Sequence, residues 1–146
     1  MPSADTELAL QADEEAARDY LDEGGGLLFR EVNSPGVYWL MLRPASTPDE
    51  KYYVRLAWTV YPDEPPSVKF YDQIAGRTDV PHAWPNAPGY RINSWDICKP
   101  FTAEGFGIHP DWRNGPTAWR STGNPFLYVV ETIQNDLNSD KYQGRH

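Results

Sequence analysis

Tyr61-Pro62-Asp63-Glu64-Pro65-Pro66-Ser67-Val68-Lys69-Phe70 is the stretch that decides the fold. Before it, residues 52–60 alternate large apolar side chains with polar or small ones, which is the period of a half-buried strand. After it, residues 68–71 are rich in β-forming side chains, and the prolines rigidify the approach to them. The stretch therefore predicts two neighbouring antiparallel strands joined by a proline-rich turn.

Two further strands are predicted upstream of this pair. Leu27–Val32 and Val37–Leu42 flank Asn33-Ser34-Pro35-Gly36, whose composition favours a turn, so the two segments should form a hairpin. The second segment is apolar at every position, which indicates a central strand. The four segments together predict a four-stranded antiparallel meander.

A helix is predicted on the N-terminal side of this sheet, over residues 5–23. The run Gly24-Gly25-Gly26 should end it, because glycine accepts the left-handed conformation of a helix cap without steric cost. Residues that recur at helical spacing predict a narrow buried face of mostly small side chains. These residues are Ala9, Ala12, Ala16 and Tyr20.

Periodicity stops over residues 72–118, which are predicted to form a long loop with at most short local structure. A second helix then begins at Asn124-Pro125, a favourable cap followed by proline in the first turn. One apolar stripe is expected along it, made of Phe126, Val130, Ile133 and Leu137. Strands grouped between two helices predict an α+β fold, organised as a single domain over residues 1–146.

Charge is concentrated in the first helix. The chain of 146 residues has a formal net charge of −8, and residues 1–23 contain eight of its 21 acids but only one of its 13 bases. A chain without a basic cluster lacks the lysines and arginines that displace counterions from nucleic acid, so nucleic-acid binding is excluded as the main role. The sequence also contains no membrane-spanning apolar run, no basic and apolar leader, and one cysteine, Cys98. We therefore expect a cytoplasmic protein with no membrane partner.

The order of these features resembles the ubiquitin-conjugating enzyme, or E2, family. Residues 61–70 are similar to the E2 segment Tyr-Pro-x-x-Pro-Pro-x-Val-x-Phe, and Ile97-Cys98 resembles its active-site dipeptide. Trp119, followed by the helix capped by Asn124, resembles the Trp-containing turn that precedes the second helix of E2 enzymes. The likeness runs in order over roughly residues 27–138. It implies a UBC-like fold in which residues 72–118 form the active-site loop region.

Three departures from the E2 pattern are visible. E2 enzymes usually carry contiguous His-Pro-Asn shortly before the cysteine, whereas this chain has His82-Ala83-Trp84-Pro85-Asn86. The segment between Cys98 and Trp119 is longer than in compact E2 enzymes, and the usual C-terminal helices are not expected in so short a chain. Such truncated forms resemble bacterial E2-like proteins that occur with a ubiquitin-like modifier and an E1-like activating enzyme.

The resemblance implies a cysteine nucleophile. Cys98 would accept the modifier from the E1-like enzyme as a thioester and pass it to an amine of an acceptor protein. Asn86 and Asn93 are the candidate donors to the oxyanion formed in both steps. His109 and Asp111 are candidates for activating the incoming amine, and Asp96 is a further candidate carboxylate for this role.

The acidic first helix is the candidate docking element for the E1-like enzyme. In E2 enzymes the first helix contributes to this contact and is commonly basic, so the sign is reversed here. We therefore expect residues 5–23 to meet a basic groove, with charge complementarity acting mainly on the association rate.

Other interpretations of the same residues stay open. A non-catalytic E2-variant module would use the same sheet and loops to bind a ubiquitin-like protein. A cysteine hydrolase would need Cys98 and His109 within hydrogen-bond reach. A zinc site from Cys98, His82, His109 and Asp111 is disfavoured because the spacings match no short ligand pair, so neither metal nor cofactor is expected.

The tryptophans are assigned by their sequence context. Trp39 and Trp58 lie in predicted strands, where core packing is the simplest role. Trp84, Trp95 and Trp112 lie in the long loop and are candidates for interface anchors, because aromatic side chains are enriched at interfaces.

Overall fold

The computed structural model describes residues 2–146 and has an α+β architecture. Two long helices flank a four-stranded antiparallel sheet, as predicted. In chain order the elements are α1 (Ala4–Glu23), β1 (Leu27–Arg30), β2 (Val37–Leu42), β3 (Tyr52–Ala57), β4 (Ser67–Tyr71), β5 (Tyr90–Arg91), β6 (Asp96–Ile97), α2 (Ala103–Ile108) and α3 (Pro125–Asn138). Short 3₁₀ turns lie at Pro81–Ala83, Pro110–Arg113 and Gly115–Thr117.

The large sheet is a meander in the order β1-β2-β3-β4. Its register aligns Leu28 with Leu40, Leu40 with Val54, and Val54 with Phe70, so these apolar side chains form one buried row. Helix α3 packs on this face, where the ring of Phe126 meets that of Tyr38 edge-on at 4.8 Å. The core therefore lies between one face of the sheet and the helices.

Helix α3 follows the predicted pattern. The Asn124 side chain accepts a hydrogen bond from the Leu127 backbone N–H at 2.9 Å, which satisfies one free donor of the first turn. The stripe predicted from the sequence is completely buried. None of the helices described over residues 2–146 is long and apolar enough to cross a membrane.

The buried face of α1 differs from the prediction. Ala12 and Ala16 are exposed, and Ala9 and Tyr20 are only partly buried. The buried residues are Thr6, Leu10, Glu14, Ala17 and Leu21. Two leucines remove more apolar area from water than the alanine row does, so they determine the rotation of the helix.

A buried acid on this face is compensated by arginine. Glu14 accepts hydrogen bonds from Arg18 at 3.3 Å and from Arg30 of β1 at 2.5 Å. The pKa of Arg30 is raised, mainly by this hydrogen bond. The paired charge explains how Glu14 can be only 5 % exposed.

Residues 72–118 contain little regular structure, as predicted, but contribute several large side chains to the core. Trp84, Tyr90, Ile97 and Phe101 are at most 3 % exposed. The prediction that Trp84 anchors an interface is therefore wrong, and its indole N–H donates to the Thr78 carbonyl at 2.8 Å.

The other tryptophans differ in how far their side chains are buried. Trp58 is in the core, as predicted, together with Phe70. Trp39 is partly exposed, because its side chain lies on the outer face of the sheet, so its assignment to the core is wrong. Trp95 and Trp112 are also partly exposed, which leaves their interface role as a prediction.

Helix α2 covers the edge of β4. The Ala103 N–H donates to the Pro66 carbonyl at 2.7 Å, and the Glu104 carboxylate accepts from the Ser67 hydroxyl at 2.5 Å and the Val68 N–H at 3.2 Å. These contacts satisfy edge groups that would otherwise be open to another strand. Because α2 begins five residues after Cys98, they also fix the segment that carries the cysteine.

Candidate active site around Cys98

Cys98 directly follows β6 and lies at the base of the β5–β6 hairpin. Its backbone N–H donates to the Gly89 carbonyl at 2.8 Å, so the two residues face each other across the hairpin. The cysteine is a free, partly exposed thiol. Because Gly89 has no side chain, the position that faces Cys98 presents only backbone.

The geometry at Gly89 requires glycine for two reasons. Its φ of +88° is a left-handed conformation that other residues adopt only with strain. A Cβ at this position would also lie 2.9 Å from Lys99 Cε and 3.0 Å from Lys99 Cγ. A larger residue at position 89 would therefore bring both backbone strain and displacement of Lys99.

An arginine–aspartate pair holds the two strands of the hairpin together next to Cys98. Arg91 Nε and Nη2 donate to the two carboxylate oxygens of Asp96 at 2.8 and 2.9 Å. Hydrogen bonds from Arg91 lower the pKa of Asp96, against the opposing effect of burial. The pKa of Arg91 is raised, first by the Asp96 hydrogen bond and to a smaller extent by attraction to Cys98.

Side chains alternate along a strand, so Cys98 shares a face of the hairpin with Asp96, two residues earlier, and with Arg91, the partner of Asp96. The arginine–aspartate pair therefore lies next to the cysteine on the same face.

Lys99 directly follows the cysteine in sequence, and its side chain is bound to helix α3. Its ammonium lies 3.0 Å from Asp136 Oδ2 and 5.6 Å from the centre of the Tyr90 ring. The Tyr90 hydroxyl donates to the same carboxylate at 2.7 Å. Burial, and then the negative charge of Asp136, raise the pKa of Tyr90 well above its ordinary value. Lys99 thus anchors the cysteine segment to the second long helix.

Asn86, the first candidate oxyanion donor, is exposed near the base of the hairpin. The Tyr90 N–H donates to the Ala87 carbonyl at 3.1 Å, which closes a turn between Asn86 and the hairpin. Ala83 and Trp84, which separate His82 from Pro85, are buried in the core, whereas Asn86 lies at the surface.

Asn93, the second candidate, lies in the turn between β5 and β6. It is exposed, and its Oδ1 accepts from the Ser94 hydroxyl at 3.4 Å. At about 3.3 Å per residue, the tip of the hairpin lies roughly 10 Å from the pair formed by Gly89 and Cys98. Asn93 therefore lies at the opposite end of the hairpin from Cys98, which leaves Asn86 as the candidate donor.

His109 and Asp111 lie where α2 passes into the following 3₁₀ turn. The His109 ring stacks on Trp112 with the ring centres 4.3 Å apart, and Asp111 is exposed. Within residues 2–146 no hydrogen bond joins either side chain to Cys98. The structure does not form the Cys98–His109 pair that a cysteine hydrolase needs.

No metal site emerges from the histidines. In the part of the chain that the structure describes, no group of three or more His, Cys, Asp and Glu side chains is arranged to hold a metal ion. His82 is exposed, and its backbone carbonyl accepts a hydrogen bond from Arg145 at 3.0 Å.

Trp119 ties the proline-rich turn to the loop that precedes α3. Its indole N–H donates to the Pro62 carbonyl at 2.9 Å, and its ring packs near those of Trp58 and Tyr128. The two motifs that were separate in the sequence are therefore in direct contact, on a cleft that Asp63 and Glu64 also line.

Sequence reasoning missed three members of this site. Arg91 and Asp136 are charged groups of the site and Gly89 faces the cysteine, yet none of the three lies in a recognisable motif. The available signals were the Pro88-Gly89 turn and the opposite charges at positions 91 and 96.

Comparisons with known proteins add no family to this description. A scan against protein-family models, a search of curated proteins and a search of solved structures found no match. The function must therefore be argued from the geometry around Cys98.

Proposed function

We propose that the protein is an E2-like conjugating enzyme with a UBC-like fold, in which Cys98 carries a ubiquitin-like modifier. The observation that carries the proposal is the free, partly exposed Cys98 at the base of a hairpin, facing a glycine and next to the Arg91–Asp96 pair along the strand. A structural cysteine would gain from burial, whereas an acyl carrier needs access for two large partners.

The order of elements supports the same proposal. A helix, a meander, a cysteine-bearing loop region and a second helix follow one another as in E2 enzymes. The contact between Trp119 and Pro62 links two of the segments on which the resemblance rests.

The reaction has two acyl transfers. In the first, the Cys98 thiolate attacks the thioester carbonyl of the modifier bound to the E1-like enzyme, and the E1 thiolate leaves. In the second, an amine of the acceptor attacks the Cys98 thioester, the carbon–sulfur bond breaks, and the proton of the amine is lost to solvent. Both pass through an oxyanion, for which Asn86 is the candidate donor.

The proposed docking surface for the E1-like enzyme is the exposed side of α1. Not all of its acids are available, because Asp13 accepts a hydrogen bond from the Tyr61 hydroxyl and Glu14 is paired with two arginines. Five acids remain exposed and form the acidic face: Asp5, Glu15, Asp19, Asp22 and Glu23.

A non-catalytic binding module is the second candidate, and one observation favours it. The outer face of the sheet presents Leu27 and Phe29 at more than half exposure. Trp39, Tyr53 and Tyr71 line a shallow apolar depression beside Phe29. An exposed apolar patch of this kind is typical of protein interaction sites.

One reconstitution separates the two candidates. The protein is incubated with a ubiquitin-like modifier, its E1-like enzyme and ATP, and the products are run on a gel without reductant. Conjugation predicts a thiol-sensitive adduct that is lost in Cys98→Ala and replaced by a reductant-stable ester in Cys98→Ser. Binding of the modifier without an adduct would instead support the binding module.

A further inference from the structure

Residues 142–146 form an extended segment that contacts the loop carrying Asn86, and we name this segment the C-terminal strap. It begins at Tyr142, whose hydroxyl lies 2.7 Å from that of Tyr52. It then runs beside the segment that contains Asn86, with a bridge between Arg145 and Pro85. The strap therefore pairs with the segment that carries the split His-Pro-Asn residues.

Arg145 anchors the strap. Its guanidinium donates to Glu50 Oε2 at 2.6 Å, to the Lys51 carbonyl at 2.6 Å and to the His82 carbonyl at 3.0 Å. It also lies 4.2 Å from the centre of the Tyr52 ring. Charge-assisted bonds to several fixed partners hold a side chain in one geometry, so Arg145 fixes the strap against β3 and the 3₁₀ turn at Pro81–Ala83.

The strap holds Asn86 by both of its backbone groups. The Asn86 N–H donates to the Gly144 carbonyl at 2.7 Å, and the Asn86 carbonyl accepts from the Gln143 N–H at 2.8 Å. The Asn86 carboxamide is exposed, and none of the hydrogen bonds formed within residues 2–146 involves it. The strap thus fixes the backbone of Asn86, and the carboxamide is left available to donate a hydrogen bond to an oxyanion.

We infer that the C-terminal strap is a positioning device for Asn86, with Arg145 as its main positioning residue. The inference rests on the proposed function, because it assigns the strap a part in acyl transfer from Cys98. Ala83 and Trp84 separate His82 from Pro85-Asn86. Asn86 therefore lacks the constraint that a contiguous His-Pro-Asn sequence would place on it. The strap supplies that constraint from a distant part of the chain.

The test uses a small acyl donor, the acetylglycine thioester of a low-molecular-weight thiol, with the full chain. The Cys98 thiolate attacks its carbonyl and the small thiolate leaves, giving an acyl-enzyme that intact-mass spectrometry detects. Added glycine amide then attacks the Cys98 thioester, Cys98 leaves as the thiolate, and the rate of deacylation is measured. Cys98→Ala is the control for the site of acylation.

Four variants make the test specific. Removal of one oxyanion donor lowers rates by about 10²–10³ in other enzymes, so we expect Asn86→Ala to slow deacylation by at least tenfold. We expect Arg145→Ala to slow it to a similar extent, and Arg145→Ala in the Asn86→Ala background to have no further effect. Arg43→Ala is the matched control, since Arg43 also donates to two backbone carbonyls, of Gly25 and Pro48.

The outcomes distinguish this inference from the proposed function. Equal slowing by Arg145→Ala in both backgrounds, or no slowing by Asn86→Ala, would overturn the positioning role while leaving Cys98 as the acyl carrier. Failure of Cys98 to accept the modifier from its E1-like enzyme would overturn the proposed function itself. If Arg145→Ala does not fold, Arg145→Lys provides the same comparison, because it keeps the charge but lacks the three-way fork.

Discussion

At the scale of single residues, the position that faces Cys98 is restricted to glycine. Its left-handed φ and its contact with Lys99 are independent constraints, and substitution by alanine violates both. Lys99 cannot move away freely, because its ammonium is bound to Asp136. A methyl group at position 89 should therefore disturb both the hairpin and the cysteine opposite.

Gly89→Ala should lower the free energy of unfolding more than Gly123→Ala. Gly123 has a φ of +75°, but a methyl group added there would meet no atom within 4 Å, so its substitution measures the backbone strain alone, about 1 kcal/mol. We expect Gly89→Ala to cost about 1 kcal/mol more, through the displaced Lys99. Urea unfolding measures the difference. Equal losses of unfolding free energy in the two variants would show that the contact with Lys99 does not affect stability.

The Arg91–Asp96 pair makes a prediction about pH. The pKa of Asp96 in the folded protein lies below its ordinary value of 3.8, so the unfolded chain takes up this proton first as the pH falls. The pair therefore stabilises the fold above about pH 4, and its contribution decreases as the pH falls through the folded pKa. We expect Asp96→Asn to lose less stability between pH 6 and pH 3 than the unsubstituted protein does.

Urea midpoints at pH 6, 4 and 3 measure this effect. Asp49→Asn, at an exposed position of the β2–β3 loop, is the control for the loss of one carboxylate. If Asp96→Asn and Asp49→Asn show the same pH dependence, the Arg91–Asp96 pair does not contribute to it.

At the scale of elements, α1 has two chemically different sides. Glu14 and Asp13 are bound to side chains of the sheet and the proline-rich turn, whereas the acidic face is free of such contacts. Only the acidic face can contact a partner while the helix stays packed on the sheet. The helix therefore separates the charges that hold the fold from those available for docking.

Reversal of two charges on the acidic face should slow modifier transfer without destabilising the fold. For Asp19→Lys with Asp22→Lys we expect the free energy of unfolding to change by about 1 kcal/mol or less, as is usual for exposed sites. Loading of Cys98 by the E1-like enzyme should fall about tenfold at low salt, and the difference should shrink at high salt.

The matched control reverses two acids elsewhere, Asp49→Lys with Asp79→Lys, and produces the same net charge. Asp79 pairs with Arg77, but both side chains are more than half exposed, so the pair contributes little. If both double variants load at the rate of the unsubstituted protein at every salt concentration, α1 only covers the sheet.

At the scale of the whole molecule, the regular elements were predictable and the site only in part. The alternation along β3 and the Asn124 cap specify their elements locally, so the α+β order follows from the sequence. The two-residue strands β5 and β6 are too short for alternation to be visible. The C-terminal strap has no periodic pattern, because it is held by Arg145 and by backbone hydrogen bonds to distant residues.

The buried face of α1 shows why a correct element can be oriented wrongly. The alanine row has the right spacing, but Leu10 and Leu21 bury more apolar area, and Glu14 is neutralised by arginines that are distant in sequence or lie one turn away. Helical spacing alone does not distinguish the alanine face of α1 from the leucine face. The size of the leucine side chains and the ion pairs of Glu14 determine which face is buried.

The most direct test of the central claim is the mass and attachment site of the modifier on this chain. After incubation with the modifier, the E1-like enzyme and ATP, intact-mass spectrometry should show one modifier added with loss of one water, removable by a thiol reductant. Peptide mapping should place it on Cys98. An adduct that resists reductant and maps to a lysine in the unsubstituted protein, or no adduct while the E1-like enzyme itself is loaded, would contradict the claim that Cys98 is an acyl carrier.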